Sequence, residues 1–597
     1  MIVKMHKYAF LVYHAEYRSF LEEMKSLGVL HIMESKNEPS LQMQDDLRES
    51  QELARMILFL ENRYVGKNQP VVSELPSGRE VMTAVKIIQG QLEALEQHKS
   101  VLEKELRQFE PWGNFSWESI EQLQEVGVDV RFFQCAASKY NAGWEDQLPI
   151  SVVSDEKNYI SFVAFLREGD VLPDMDAEEI KLPFKSLAGI EMELRTANDE
   201  IAQQEKLLDQ YAISGLDLLK AYQASLTDRL QTEMAVLHTS EKADGSLMQL
   251  EGFVPAPRVA EVEAWLNKSG VVYLSSEAQK EDRPPILLKN GPFAKLFEPI
   301  GKLFALPDYM ELDLTPFFAP FFLLFFGFCL GDAGYGLLFA IGATVARAKL
   351  KGSMKPYMAL LQWLGLSTVL FGALTGTFFG VKLTNIEWTA LNNLQQMMLS
   401  DDQMFNFALG LGFVQIIFGM ILKGINQTIQ DGFTYSFATW GWIVVIVSTA
   451  IMFALDQLFG PLHLVLLGLS ALGIFIFNHP KRNVLVNIGA GLWDSYNMVT
   501  GFAGDILSYI RLFALGLSSG ILGLVFNKLA FDLSPDIPVL NVIITGLILI
   551  VGHSLNIFMS ALGSFVHPMR LTFVEFFKNA GFAGGGKAYS PFQKSNH

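Results

Sequence analysis

Apolar positions follow two rhythms along the chain, and the change between them falls near residue 305. Before it, residues 2–33 read β-α-β. The strand Val3–Tyr13 is followed by an amphipathic helix, Glu16–Leu27, closed by Gly28, and then by the strand Val29–Met33. The same pattern returns as strand Leu247–Val254, helix Val259–Asn267 and strand Val271–Leu274, so the two pieces can pair into one α+β lobe across a long insertion. A second strand-rich patch, Val130–Ala137 with Tyr159–Leu166, predicts another lobe at about 111–185. Around that patch lie two helical seams. Val81, Val85, Ile88, Leu92, Leu95, Leu102, Leu106 and Phe109 alternate in fours and threes, interrupted at Lys99, and a looser seam runs from Ile190 to Tyr222. An antiparallel coiled-coil hairpin holding the second lobe away from the first is the economical fold.

After residue 305 the polar positions thin out. Ala359–Val381, Phe405–Leu422, Thr439–Leu458, Leu462–Phe477, Ile506–Phe531 and Val539–Val566 are apolar stretches suited to a hydrocarbon layer of about 30 Å. The run Phe317–Ala346 is also almost wholly apolar. Arg347, Lys349, Lys351 and Lys355 place the following loop in the cytosol, as do Lys423, Lys481 and Arg482 for later ones and Lys578, Lys587 and Lys594 for the tail. The loop 383–403 carries Glu387, Asp401 and Asp402 without a base, and Phe531–Pro538 is likewise acidic, so both belong outside. Lys382 and Lys528 sit at outer edges against that rule. A cytosolic first half and a cytosolic Arg347 require the 317–346 run to cross an even number of times. It is therefore expected as a short hairpin turning at Gly331–Gly336, giving eight membrane segments, with 484–502 as an interfacial helix.

Composition sharpens this division. Half of the 597 residues are hydrophobic and 18% are charged, against about a quarter in soluble domains. A net charge of −17 excludes nucleic acid as a partner, because phosphate binding needs a basic surface. Cys135 and Cys329 lie in halves of different character, which argues against a disulfide and offers no metal spacing. No clean apolar leader opens the chain, consistent with a cytosolic first half. The domains expected are therefore a cytosolic stalk over 1–300 and a membrane domain over 301–597. Within the stalk are a proximal lobe (1–35 and 245–290), paired helices (about 45–110 and 186–240) and a distal lobe (111–185).

Ionisable groups inside spans are costly and are usually functional or paired. Arg511 lies about 10 Å inside its span, with only apolar or small residues from Leu512 to Phe526 beyond it. In the last span His553, Asn556, Ser560, Gly563, His567 and Arg570 follow at intervals of three and four, a polar or small stripe that should face protein or water. Arg570 falls at a depth similar to Arg511 on an oppositely running helix, and Glu575 adds a carboxylate near the cytosolic mouth. Gly581–Lys587 imitates the start of a phosphate-binding loop. Ala588 stands where Ser or Thr is required, and no strand precedes it, so no nucleotide or other cofactor is expected.

Glu298–Pro307, Thr315-Pro316, Phe326–Gly336, Gly504–Gly516 and His567–Glu575 together resemble the stator subunit of rotary V/A-type ATPases, called subunit a, or subunit I in bacteria. That resemblance spans the chain and implies two cytosolic lobes joined by a coiled-coil hairpin before a membrane domain. It also implies an ion path at the edge of a rotating proteolipid c-ring, with arginines at Arg511 and Arg570 between two offset half-channels. Asp332 resembles an acid near the outer half-channel and Glu575 one near the inner side. Asp505, Ser519, His553, Ser560 and His567 complete the implied ion-translocation set, and Ser519 and Ser560 stand where some eukaryotic members carry His and Glu. The implied partners are the c-ring, peripheral-stalk subunits E and G, a central-stalk connector, the V1 ATPase sector and the lipid bilayer of a prokaryotic inner membrane. No catalytic site of its own is expected. A secondary transporter with a regulatory domain would instead show inverted repeats, and none is visible. A membrane-anchored scaffold would leave the His553–Arg570 stripe without a purpose.

Overall fold

The computed structural model of the protein describes all residues except 35–37, 64–76, 157, 168, 171, 174, 351, 384–397, 456–459, 477–482, 536 and 595–597. Lys351, Glu387, Lys481 and Arg482, used above for orientation, lie outside the described residues. Contacts group the chain into two compact units. One comprises Met1–His14, Val29–Met33 and Glu241–Phe592; the other comprises Ala15–Gly28, Glu34–Ser240 and Gln593–His597.

In the second of these units, helices Gly78–Phe109 and Leu187–Ser214 run antiparallel. Leu102 and Phe109 share a core with Ile190 and Ala197, whereas Val81, Val85 and Ile88 share one with Leu208 and Ala212. Both helices start on a serine cap: Ser77 Oγ accepts from Glu80 N–H, and Ser186 Oγ from Gly189 N–H. Helices Leu41–Arg63 and Leu216–Leu237 thicken one end of the pair through Leu53, Ile57, Leu60, Leu219 and Leu226. A four-stranded antiparallel sheet lies beyond the other end, in the order Ile150–Glu156, Tyr159–Arg167, Val128–Ala136, Glu178–Glu179. Trp112, Phe132 and Val163 form one of its cores.

In the other unit, strand Met5–Tyr13 lies between Leu247–Pro255 and Val272–Glu277, antiparallel to both, with Met5 opposite Pro255 and His6 opposite Glu277. Chain pieces some 240 residues apart thus form one sheet, the pairing that their matching patterns allow. The second strand is shorter than expected, only His31–Ile32. The Gly-rich tail lies against this sheet region as an extended strap. Ile286 N–H donates to Lys587 O, Phe592 N–H donates to Leu30 O, and Glu311 accepts from Ala583 and Gly584 N–H. A Cβ at Gly586 would lie 2.1 Å from Pro307 O, so this glycine serves close packing.

Among the described residues, five helices are long and apolar enough to cross a membrane by length and composition: Lys355–Thr375, Asp401–Gln430, Phe433–Ala454, Leu485–Asp532 and Pro538–Asn579. Two shorter apolar helices are Thr315–Leu330 and Pro461–Phe475. The turn within the 317–346 run is tighter than expected. Gly331, at φ +54°, ends one helix, Asp332 caps the next, and Ala333–Lys349 begins at once. The stretch expected as a separate interfacial helix is instead continuous with the span after it, forming one helix Val484–Asp532. Gly491 serves contact here, since a Cβ on it would lie 2.9 Å from Ile474 O.

Small residues let these helices approach at backbone distance. A Cβ at Gly336 would sit 2.9 Å from Gly365 O, and one at Gly372 only 2.0 Å from Ala333 N. Phenylalanine fills the wider gaps. Phe318, Phe322, Phe326, Phe576 and Phe577 share one core, and Phe325, Phe328 and Phe371 share another with Tyr509 and Leu512. This use explains much of the excess of Phe, since aromatic edges and faces pack without polar atoms that need partners.

Candidate functional site

Polar side chains within the apolar helices gather at three levels along Pro538–Arg570 and its continuation. The first level is a hydrogen-bonded chain. Asn556, fully buried, donates from Nδ2 to the Tyr335 hydroxyl at 2.9 Å and to Ser519 O at 3.2 Å, and accepts from Ser560 Oγ at 3.0 Å. With its oxygen so engaged, Tyr335 can donate its own hydrogen to His553 Nδ1, 2.7 Å away. His553 Nε2 lies 3.0 Å from Asn527 Oδ1, and Asn527 Nδ2 donates to Phe379 O at 2.8 Å. Every link has a donor and an acceptor when the imidazole is neutral with its hydrogen on Nε2. Four elements contribute to the chain: Ala333–Lys349, the turn at 379, the long helix 484–532 and the last long helix.

The second level holds Arg511, His567 and Arg570. Both arginines stand close enough to His567 to act on it electrostatically. Arg511 is partly buried, and its Nη1 has no hydrogen-bond partner among the described residues; neither has His567 Nδ1. Arg570 closes the regular helix and is exposed. Tyr509, one half-turn before Arg511, is fully buried and donates to Gln415 Oε1 at 2.7 Å, which fixes that face of the long helix against Asp401–Asp431.

The third level begins in a π-helical turn, Leu571–Phe576, an irregularity that functional sites often carry. Glu575 within it is 2% exposed, and its Oε2 has no partner among the described residues. Asp505 lies beside it, paired with Lys578 Nζ at 3.2 Å and accepting from Asn579 Nδ2 at 2.8 Å. Asp505, Lys578 and Asn579 also line a cavity of about 400 Å³ together with Lys423, Gln427 and Asp494.

The residues singled out from the sequence therefore separate by level. His553, Ser560 and Ser519 belong to the first, Arg511, His567 and Arg570 to the second, and Glu575 with Asp505 to the third. The 553–570 stripe is not uniform. Asn556 faces into the protein, while His567 is partly exposed and Arg570 exposed. Asp332 lies near the first level, but its carboxylate is fully buried and bonded to backbone N–H groups. Sequence reasoning missed Tyr335, Asn527, Gln415, Lys578 and Asn579. Asn527 left a signal, being the first strongly polar residue after the apolar run from Leu512 to Phe526.

No family model matches the chain. V-type ATP synthase subunit I of Borreliella burgdorferi is 27% identical over 100% of both chains. A-type ATP synthase subunit I of Methanocaldococcus jannaschii is 28% identical over 72% of this chain and 69% of that one. The solved cytoplasmic N-terminal domain of subunit I, homologue of subunit a of V-ATPase, is covered in full by 46% of this chain at 16% identity, with a TM-score of 0.24, too low to carry an argument. The chain is thus similar over its whole length to subunit I of V-type ATP synthase, the family its motifs resemble. Its apolar helices make it a membrane protein.

Proposed function

We propose that this chain is the non-rotating membrane subunit of a rotary V/A-type ATPase or ATP synthase, coupling H⁺ or Na⁺ passage to ATP turnover that other subunits carry out. The observation carrying this reading is the order of the three levels along one helix. Two polar clusters, at 553–560 and 575–579, lie on either side of the arginines at 511 and 570. A barrier of fixed positive charge between two polar ends is what offset half-channels need. Each cluster can exchange ions with one side of the membrane, and the guanidinium groups prevent a direct leak between them. The same charges favour the ionised form of a ring carboxylate as it passes. In this reading Ser519, Ser560 and His553 line the outer path, and His567 stands beside the arginines. Glu575 and Asp505 line the inner path, next to the cavity that Lys423 and Lys578 share.

Eight crossings follow from counting Thr315–Leu330, Ala333–Lys349 and Pro461–Phe475 with the five long helices, and both ends of the chain are then cytosolic. Residues 1–300 would form the stalk domain, with the paired helices as the coiled-coil hairpin between its two lobes. Through it the chain would hold peripheral-stalk subunits E and G against rotor torque, while the membrane domain abuts the proteolipid c-ring, beneath the central-stalk connector and the V1 sector. Affinity purification from native membranes tests the assignment. A ring proteolipid and ATP-hydrolysing subunits should accompany the chain. Recovery of the chain alone, or with a soluble transport regulator, would overturn it.

A further inference from the structure

We propose that Asp332 is a positioning residue that fixes the outer end of the ion path by holding the hairpin 377–382, and is not itself a proton carrier. The inference rests on the reading of this chain as an ion-translocating subunit. It departs from the family-based expectation that Asp332 is an acid of the outer half-channel. The carboxylate is 0% exposed and accepts four hydrogen bonds, all from backbone N–H groups. Two come from its own helix start, Gly334 at 2.9 Å and Tyr335 at 3.2 Å, both to Oδ1. The other two come from the tip of the hairpin formed by Thr377–Phe378 and Val381–Lys382. Phe379 N–H donates to Oδ1 at 2.9 Å and Gly380 N–H to Oδ2 at 2.7 Å. A proton carrier needs a side chain or water within reach to receive the proton. The four partners here are all donors, so they reward a fixed anion and offer a proton nowhere to go.

What the hairpin tip does explains why it is held so firmly. Phe379 has φ +46° and Gly380 φ +73°, a left-handed pair that a bulky residue adopts only under constraint. That turn brings the Phe379 carbonyl to Asn527 Nδ2, the last link of the chain through His553, Tyr335, Asn556 and Ser560. It also lays the Phe379 ring against Tyr335 at 5.5 Å and His553 at 5.8 Å between centroids. The tip packs at backbone distance where it sits. A Cβ at Gly334 would lie 2.4 Å from the Phe379 ring, and one at Gly380 would lie 2.3 Å from the Gly523 backbone. Asp332 therefore sets both the wall and the terminal acceptor of the outer polar chain while touching none of its side chains.

Two substitutions separate an anchor from a carrier, read as ATP-driven ion uptake per assembled complex in vesicles. D332N retains an Oδ1 that can accept three of the four bonds, whereas D332E keeps a titratable acid but displaces it by a methylene in a site without room. The anchor predicts that D332N stays within about threefold of the unchanged protein while D332E falls by about tenfold or more. A carrier predicts the reverse order, and that result would overturn the proposal. If neither variant assembles, Asn527→Ala decides: it cuts the tie to Phe379 O without touching Asp332. Normal uptake by that variant overturns the proposal, and a several-fold loss in assembled complex supports it. The unchanged complex and Arg511→Ala are run alongside. Failure of the unchanged complex to take up ions would refute the ion-translocating reading itself, which keeps the two failures distinguishable.

Discussion

The polar chain at 553–560 and the arginine level at 511–570 differ in how far this one polypeptide satisfies them. In the first, Tyr335, Asn527, His553, Asn556 and Ser560 all find partners on one another or on backbone, leaving the Ser519 hydroxyl unpartnered. In the second, Arg511 Nη1 and His567 Nδ1 are buried without a partner among the described residues, and Glu575 Oε2 one step further on is in the same position. Leaving a buried polar atom unmade costs about 1–3 kcal/mol, more when it is charged. Atoms of this kind are ordinarily satisfied by water or by a bound partner, and the proposed function supplies one in the ring carboxylate. The closed chain specifies a shape; in the proposed function the open level is where an encounter takes place.

The sharpest way to break this comparison is Arg511→Ala. It removes a permanent charge that neither His567 nor solvent replaces, while Tyr509 and Leu512 continue to pack the helix. If Arg511 pairs with a ring carboxylate as proposed, coupled uptake should fall by about a hundredfold or more. Arg511→Lys should do little better, because an ammonium lacks the planar fork that meets a carboxylate with two hydrogen bonds. Assembly, followed by retention of the soluble subunits, should be unchanged. An assembled alanine variant with substantial coupled uptake would reduce Arg511 to a packing residue. Arg570→Ala probes the exposed member of the same level. Arg570 lies nearer the cytosolic end of its helix than Arg511 does in its own, so the expected loss is smaller, about tenfold, and equal losses for the two would mean they act as one unit.

Much of the fold was legible because it depends on period and local chemistry. The seam of fours and threes placed Val81, Val85 and Ile88 in a helical core, and alternating strands at 3–13 and 247–254 found each other despite their separation. The continuous helix 484–532 was harder to read. Gly501, Gly504 and the Trp493–Asp494 pair look like a boundary, yet each glycine costs only about 1 kcal/mol in a helix, too little to break one of this length. Of the candidate site, the charged members announced themselves by their cost in an apolar setting. Tyr335 did not, since a tyrosine beside glycines reads as a turn residue. Its role arises only when Ala333–Lys349 meets the last long helix some 220 residues later, and no local pattern encodes that meeting.

Tyr335→Phe tests the closed chain directly. The substitution keeps the ring and its packing but leaves His553 Nδ1 without its donor and Asn556 Nδ2 without its main acceptor. Asn556 can fall back on Ser519 O, so the damage should be partial. Uptake should drop about threefold to tenfold, and the complex should unfold at a lower temperature in detergent. A loss as deep as that of Arg511→Ala would place Tyr335 on the conducting route and erase the distinction between shape and encounter. No change in either measurement would mean the chain is not what holds the outer helices in place.

The smallest effect is expected at Asp505, where the resemblance and the geometry pull apart. Its carboxylate is buried, but both of its charged or amide partners, Lys578 and Asn579, belong to the short turn that ends the membrane helix. Lys578 is more than half exposed, so the ion pair is of the solvent-screened kind worth about 1 kcal/mol or less. Asp505→Asn keeps an oxygen for Asn579 and the volume against the neighbouring cavity, losing only the charge. Uptake should therefore change by less than about twofold if Asp505 merely tethers the 575–579 turn. Glu575, with an oxygen free within the chain, would then be the carboxylate that meets ions on the inner side, and Glu575→Gln in the same vesicles should cost several times more. If instead Asp505→Asn is the more damaging of the two, the inner path runs along the long helix, past Asp505 and the cavity it lines, and Glu575 is the tether.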